Sequence, residues 1–367
     1  MLTDEVIAKV ATRAKELAAH SWEFGTAAEA LLELENPELS VFHKHAFSHG
    51  KIASEVDNRC QSLKYVAQHI QIDGSKTLCA DDTGVADPAS LGVSAILLGQ
   101  RHPEYLAAAQ RQVRYLLEEA PRYGETAISH RKDVEEVWAD FIYMIPPFLA
   151  FYAVAVDDIN VMEAAVAQCE AYYKELAQKD ESGPDHGLWH HIAGPKHDDP
   201  GYWSTGNGWV AAGLTRVLAT LMSWESTRGS GFEGVVSLKR MIRDLIDGVV
   251  TTDLHRHEEE LLPNYLYAKD DEPWFGDVAG TALLTSAVYR MMRLDYEHFR
   301  RYRQWADRKS KAVFSCVDLE SGIARPTVDS LKHAQREPLM TGNPEAQSFV
   351  VLMWAAMRDF YFTQEEC

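Results

Sequence analysis

The sequence predicts an all-α fold, an (α/α)6 barrel of helical hairpins, on three observations. Helical periodicity of apolar residues runs along most of the 367-residue chain, and strand-like alternation is scarce. A unit recurs in which a segment apolar on all sides is followed by a short turn and an amphipathic segment. Small residues (Ala89, Ser90, Gly92; Ala211, Ala212, Gly213; Ala279, Gly280, Ala282) crowd the first turns of the all-apolar segments, which permits close packing. A helix hydrophobic all round belongs inside, and one with a wet face belongs outside. Such hairpins bury their apolar faces only against neighbours, so they close into a ring or stack into an open solenoid. No Pro/Gly/Ser linker or low-complexity tract divides the chain, and a single barrel domain over 1–367 is expected.

The elements follow in order. Residues 1–19 and about 27–35 read as leader helices. Asp4, Glu5, Lys9, Arg13, Lys15 and Glu16 make the first an amphipathic helix rather than a signal peptide. Residues 51–70 add another helix. The first hairpin has an inner helix at 89–98, a turn at 99–103 and an outer helix at 104–119. The second is 141–154 and 161–177, joined by Ala-Val-Asp-Asp-Ile-Asn. The third is 208–224 and 235–250, joined by 225–231. The fourth is 277–294 and 297–313. A last helix covers about 346–360. Long loops precede the inner helices, at 71–88, 121–136, 180–207, 261–276 and 321–344. Loops of that length in a compact fold are commonly functional, and these are expected to form the active mouth.

Composition excludes several classes. Hydrophobic residues make up 46%, enough for a large core, and no run of about 18 uncharged apolar residues exists to span a membrane. The net charge of −19 repels nucleic acid and anionic membranes, and basic stripes with interleaved aromatics are absent. An acidic ligand needs local cations, and His130, Arg131, Lys132 and Lys196 offer them. The five cysteines (Cys60, Cys79, Cys169, Cys316, Cys367) are odd in number and form no Cys-x-x-Cys pair. They read as incidental thiols of a reducing, cytoplasmic compartment. No Gly-rich phosphate loop follows a strand and no Gly-x-Ser-x-Gly elbow occurs, so no cofactor is expected.

The richest chemistry lies in three stretches. Residues 137–150, Val-Trp-Ala-Asp-Phe-Ile-Tyr-Met-Ile-Pro-Pro-Phe-Leu-Ala, set Asp140 inside an apolar, aromatic run. Burial raises a carboxyl's pKa, so Asp140 is expected to hold a proton near neutral pH and to serve as a general acid/base. The alternative is a core aspartate that caps a helix beside the prolines. The loop 180–209 holds His186, Trp189, His190, His191, Lys196, His197, Tyr202, Trp203, Asn207 and Trp209. Flat aromatic faces beside polar donors suit a sugar cleft. Asn207 could equally cap a helix, and the tryptophans could equally plug the barrel. His190, His191 and His197 lie close together, but no metal motif accompanies them and adjacent histidines on a strand point to opposite faces, so no metal is expected. In 79–92, Asp87 precedes Pro88 as a second acid or as a helix cap, and Asp81 and Asp82 read as turn residues. The Asp-Asp-x4-Asp pattern is not read as a magnesium-diphosphate site, because it precedes a helix instead of lying on one helix face.

The run at 137–150, with Gly187-Leu-Trp-His-His and Trp203-Ser-Thr-Gly-Asn-Gly-Trp209, resembles glycoside hydrolase families 105 and 88. These are the unsaturated rhamnogalacturonyl and unsaturated glucuronyl hydrolases. The likeness extends weakly to Asp87-Pro-Ala-Ser-Leu-Gly92 and Gly280-Thr-Ala-Leu-Leu284. It implies the six-hairpin glycosidase barrel, with the catalytic aspartate at Asp140 and the second acid at Asp87. It also implies an unusual reaction: a terminal uronic acid with a C4=C5 double bond is protonated at C4, water adds at C5, and the hemiketal opens to release the neighbouring sugar. The anomeric carbon is not attacked, so the carboxylate-separation rule of ordinary glycosidases does not apply. His130, Lys132, Trp138, Trp189, His190, Trp203, Thr205, Asn207 and Trp209 are the expected substrate-binding residues. One departure stands out. The family commonly has Trp-x-Arg-Gly-Asn-x-Trp, and Thr205 occupies the Arg position. A hydroxyl does not replace a guanidinium's bidentate grip. Recognition of the substrate's acid is then expected to differ, or to rest on His130, Arg131, Lys132 or His190.

The leading expectation is a hydrolase of unsaturated uronyl oligosaccharides, unsaturated rhamnogalacturonan first among them. An ordinary glycosidase on the same barrel and a non-catalytic sugar-binding protein are the rivals. The partner is a small oligosaccharide; the sequence says nothing of oligomeric state.

Overall fold

The computed structural model describes residues 2–52, 60–80, 84–229, 231–254, 260–267 and 274–364. Asp81, Asp82 and Cys367 lie outside the described residues. The helices are α1 (Asp4–Leu17), α2 (Ser21–Glu35), α3 (Gln61–Ala67), α4 (Gly92–Gly99), α5 (Pro103–Arg114), α6 (Phe141–Val156) and α7 (Ile159–Leu176). They continue with α8 (Ser204–Ser223), α9 (Glu233–Asp253), α10 (Val278–Leu294), the short α11 (Tyr296–Phe299), α12 (Arg303–Ser315) and α13 (Pro344–Gln364). The four hairpins read from the sequence are α4/α5, α6/α7, α8/α9 and α10/α12.

Packing closes the ring. Helix α2 packs on α4 and the 3-10 turn Asp87–Leu91 before it, α4 on α6, α6 on α8, α8 on α10, α10 on α13, and α13 on α2. That is a six-helix inner layer, with α1, α3, α5, α7, α9 and α12 outside it. The fold is the (α/α)6 barrel, not an open solenoid. The division follows the patterns along the chain. Helices α6, α8 and α10 are buried on every side, whereas α5 and α9 keep one wet face. Small residues let the inner helices touch: a side chain at Gly213 of α8 would strike the Ile142 carbonyl of α6, and one at Gly280 of α10 would strike Ser204.

Two local features set up the site. Helix α2 begins at Ser21, earlier than the periodicity indicates. Glu23 accepts the Ala19 and His20 backbone N–H groups at 2.6 and 2.9 Å, a reciprocal cap that carries the helix back to Trp22. Strands are two-residue pieces: β1 (Arg122–Tyr123) with β2 (Ala127–Ile128), and β3 (Val137–Trp138) with β4 (Ile192–Ala193), both antiparallel. The pairing of Trp138 with Ile192 lays the start of α6 against the histidine loop. No helix among the described residues is long and apolar enough to cross a membrane. Cys60, Cys79, Cys169 and Cys316 are free thiols.

Candidate active site

The long loops meet over one mouth of the ring, around a cavity of about 610 Å³. Ala80 and Asp87 come from the loop before α4, and His130, Arg131 and Trp138 from the loop before α6. His191, Ile192, His197 and Trp203 come from the loop before α8, and Ser330, Leu331 and His333 from the one before α13. The inner helices supply Trp22, Met144 and Glu345, with Asp140 at the head of α6 and His20 before α2. Four of the five expected mouth loops contribute. The segment 261–276 does not line the cavity among the described residues. Its Asn264 instead accepts the Trp203 indole N–H at 2.9 Å and holds that ring in the wall.

Asp140 stands at the N-cap of α6 but makes no capping bond with its side chain, so helix capping does not explain it. The side chain is 17% exposed, and Oδ2 lies 3.5 Å from His191 Nε2 with no well-aligned hydrogen bond. The expectation of a raised pKa fails. Burial pushes the carboxyl up, but the hydrogen-bonding reach and charge of His191, with the charge of His130, outweigh it and hold Asp140 below its ordinary value. Those two imidazoles arrive from other segments, which the apolar run around Asp140 does not reveal.

His191 is the hinge of the site. Burial pulls its pKa down, but Asp140 on one side and Asp199 on the other raise it overall. Its Nδ1 lies 2.9 Å from Asp199 Oδ2. Asp199 also accepts the Tyr265 hydroxyl at 2.6 Å and lies 3.5 Å from His333 Nε2. Against burial, His191 and Tyr265 hold Asp199 down at about 2. Burial, then the His191 charge, lowers His333 to about 4, so it is a neutral imidazole at pH 7. The line is carboxylate, imidazole, carboxylate, and the two carboxylates favour the imidazole's protonated form. His191, Asp199 and His333 are close enough to surround a metal ion, but their polar atoms already engage one another. His190, His191 and His197, the trio close in sequence, do not converge. His197 binds Glu136 at 2.8 Å, and His190 stacks on Tyr202 and bonds the Pro200 carbonyl.

The expected binding residues divide. Asp87 begins the 3-10 turn and lies 3.6 Å from His130 Nε2. His130 stacks on Trp138 at 4.8 Å, and Arg131 sits over the other part of that wall, 5.7 Å from the ring centroid. Glu136, fully buried, takes the Trp138 indole N–H at 3.0 Å and the backbone N–H groups of Lys196 and His197 at 2.9 and 2.8 Å. It ties the indole to the neighbouring loop. Asp87, His130, Trp138 and Trp203 therefore join Asp140 in the cavity. Lys132, Trp189, His190, Thr205, Asn207 and Trp209 do not line it. Lys132 gives way to Arg131, its neighbour in the loop, and Lys196 reaches out toward Asp133. Trp209 is core, packed between Tyr143 and Phe349. Trp189 is wholly buried against Tyr173. Asn207 lies inside the first turn of α8 and is not its cap. It accepts the Trp189 backbone N–H and donates to the Trp189 and Trp203 carbonyls, all at 2.9–3.0 Å. Thr205 is fully buried and donates to Asp277 Oδ2 at 3.0 Å, so it is not the substrate contact that the Arg position implied.

Sequence reasoning missed Glu345, Trp22 and the choice of His191. Glu345 looks like an acid placed for the helix dipole in a first turn. Trp22 looked like part of a leader. His191 was separable from His190 only by the register of β3 with β4.

A ring of six helical hairpins, with carboxyls and aromatic rings gathered at one mouth, is the plan of the six-hairpin glycosidases. A possible member of glycoside hydrolase family 105 from Salmonella enterica shares the fold at a TM-score of 0.71, with 16% identity over 97% of this chain and 93% of that one. A family 105 glycoside hydrolase from C. acetobutylicum shares it at 0.72, with 13% identity over 96% and 98%. The unsaturated rhamnogalacturonyl hydrolase YesR of Bacillus subtilis is 23% identical over 230 residues. The match spans 60% of this chain and 60% of that relative's length. The model of Glycosyl Hydrolase Family 88 matches residues 49–332, and the chain belongs to that family.

Proposed function

We propose that this protein is a glycoside hydrolase that removes a terminal 4,5-unsaturated uronic acid from lyase-generated oligosaccharides, with unsaturated rhamnogalacturonan products as the first substrates to test. The observation that carries the reading is Asp140: a reachable carboxylate, 3.5 Å from an imidazole whose protonated form it favours, in a cavity walled by Trp138 and Trp203. Several features favour an anionic sugar despite the chain's net charge. Arg131, His130 and His191 line the cavity, and the N-terminal ends of α2, α6, α8 and α13 face it, each bringing partial positive charge.

The proton inventory differs from that of an acid protonated in advance. In the free protein the proton rides on His191. An anionic sugar that displaces water beside Asp140 raises the carboxylate's proton affinity, and the proton crosses from His191 Nε2 to Asp140 Oδ2. Asp140 delivers it to C4 of the vinyl ether, and the positive charge spreads over C5 and the ring oxygen. Water adds at C5, its proton passes to Asp140, and when the product leaves it crosses back to His191 Nε2. The hemiketal then opens and releases the neighbouring sugar, leaving the enzyme unchanged. Asp87, paired with His130, positions the water.

The conjugated unsaturated acid absorbs in the near ultraviolet, so loss of absorbance reports the reaction. Incubation with pectin, glycosaminoglycan and ulvan lyase products should bleach at least one. Sugar release without bleaching indicates an ordinary glycosidase, and calorimetric binding without turnover indicates a sugar-binding protein. Asp140→Asn should abolish bleaching with the fold intact. Retention of even about 3% of the rate removes Asp140 from the acid's role.

A further inference from the structure

The chemistry above leaves Glu345 without a task. It sits in the first turn of α13, 2% exposed, on the wall of the cavity that holds Asp140 and Asp87. Its Oε1 accepts the Trp22 indole N–H at 2.9 Å. Its Oε2 is buried and makes no well-aligned hydrogen bond, with the Ser330 side chain close enough to act on the carboxyl. The groups that face it are Trp22 and Glu23 from α2, Ser330 from the loop before α13, and Asp140 from the head of α6. His20 stacks on Trp22 at 4.5 Å and is tied to Glu23 through Nδ1 at 3.1 Å. Burial, helped by Glu23 and Asp140 and opposed by the Trp22 and Ser330 donors, pushes the Glu345 carboxyl up to about 8. At neutral pH it is an uncharged acid with one oxygen already used and one O–H to give.

We propose that Glu345 is a specificity-determining residue that binds in its neutral form, its Oε2–H donating a hydrogen bond to the carboxylate of the terminal uronic sugar. This rests on the substrate class proposed above. An ionised Glu345 would repel the anion, so the proton turns a repulsive group into a donor. The contact also supplies acid recognition to a chain whose Thr205 is turned into the core. Binding and protonation are then linked: above the Glu345 midpoint, each substrate bound takes up a proton.

The test compares wild type with Glu345→Gln on whichever oligosaccharide wild type bleaches, with KM and kcat measured from about pH 6.5 to about pH 9.5. Wild-type KM should rise toward tenfold per pH unit above about 8, as single-proton linkage requires. Glu345→Gln, an uncharged donor throughout, should lack the Glu345 rise and show a shallower KM slope than wild type, whatever its level. His191 adds an alkaline limb of its own, but that limb is common to both proteins. Equal KM slopes in the two proteins, or a wild-type KM independent of pH, overturn the inference. A second measurement needs no turnover. In protein labelled at the glutamate carboxyl carbon, the resonance that Glu345→Gln removes should titrate near 8, apart from that of Glu29, which burial also raises, and its midpoint should rise with saturating glucuronate. A Glu345 resonance that titrates in the ordinary range, or a midpoint that glucuronate leaves in place, overturns it as well. Failure of wild type to bleach any substrate counts against the proposed function, while the carboxyl titration still decides the state of Glu345.

Discussion

Replacing Asp199 with Asn tests whether the proton rides on His191. The substitution keeps the shape and removes the charge 2.9 Å from His191 Nδ1. The Asp199 side chain is 20% exposed, so solvent screens it only in part. Its pKa falls from 3.8 to about 2, which corresponds to roughly 2 kcal/mol at about 1.4 kcal/mol per unit. That gain is shared among His191, Tyr265 and the Gly201 backbone N–H, with His191 the largest of the three. The signs are fixed by linkage. The depressed carboxyl contributes stability that is full above its unfolded pKa and lost as pH falls through about 2. The raised His191 contributes stability that is full below its unfolded pKa and lost as pH rises through the folded one. Asp199→Asn should therefore cost roughly 2 kcal/mol at neutral pH, read by urea unfolding, and should lower the His191 midpoint. The imidazole titration followed by NMR and the alkaline limb of kcat should move together. If neither moves, Asp199 does not set the charge of His191 and the proton inventory is wrong.

Two further substitutions test the assignment of residues to core or cavity. Thr205→Val keeps the volume but removes a donor to the buried Asp277 carboxyl; it should cost about 1–3 kcal/mol of stability and change KM less than about twofold. A KM increase of about tenfold would return Thr205 to the substrate. Gly213→Ala drives a methyl into the Ile142 carbonyl and forces α8 away from α6. Loss of at least about 1–3 kcal/mol in urea unfolding is expected, and unchanged stability would show that the two helices are not in contact there.

The hairpins were legible because the difference between an all-apolar helix and one with a wet face is written into each segment. The two helices that end the ring's sequence order, α2 and α13, were also seen, but not that their first turns reach the cavity. Among the tryptophans, composition marked the right loop and mixed two roles. Trp203 faces the cavity with its N–H on Asn264, whereas Trp209, one and two-thirds turns into α8, points into the core. Which face of a helix meets the hole in a ring depends on how all six are rotated, and no single segment holds that information.

The sequence by itself determined the helical hairpins, four of the loops that meet over the mouth, the family, and the placing of Asp140 and Asp87 among the acidic residues there. These follow from local patterns of polarity and from motif order. The tertiary structure decided the protonation states. Asp140 is surrounded by apolar neighbours along the chain but faces His191 and His130 in space, so it is ionised. Glu345 has an ordinary helix-start sequence but lies buried beside Glu23, so it keeps its proton. A pKa is set by charge and solvent within a few ångströms, and at this site those neighbours come from segments that only folding brings together.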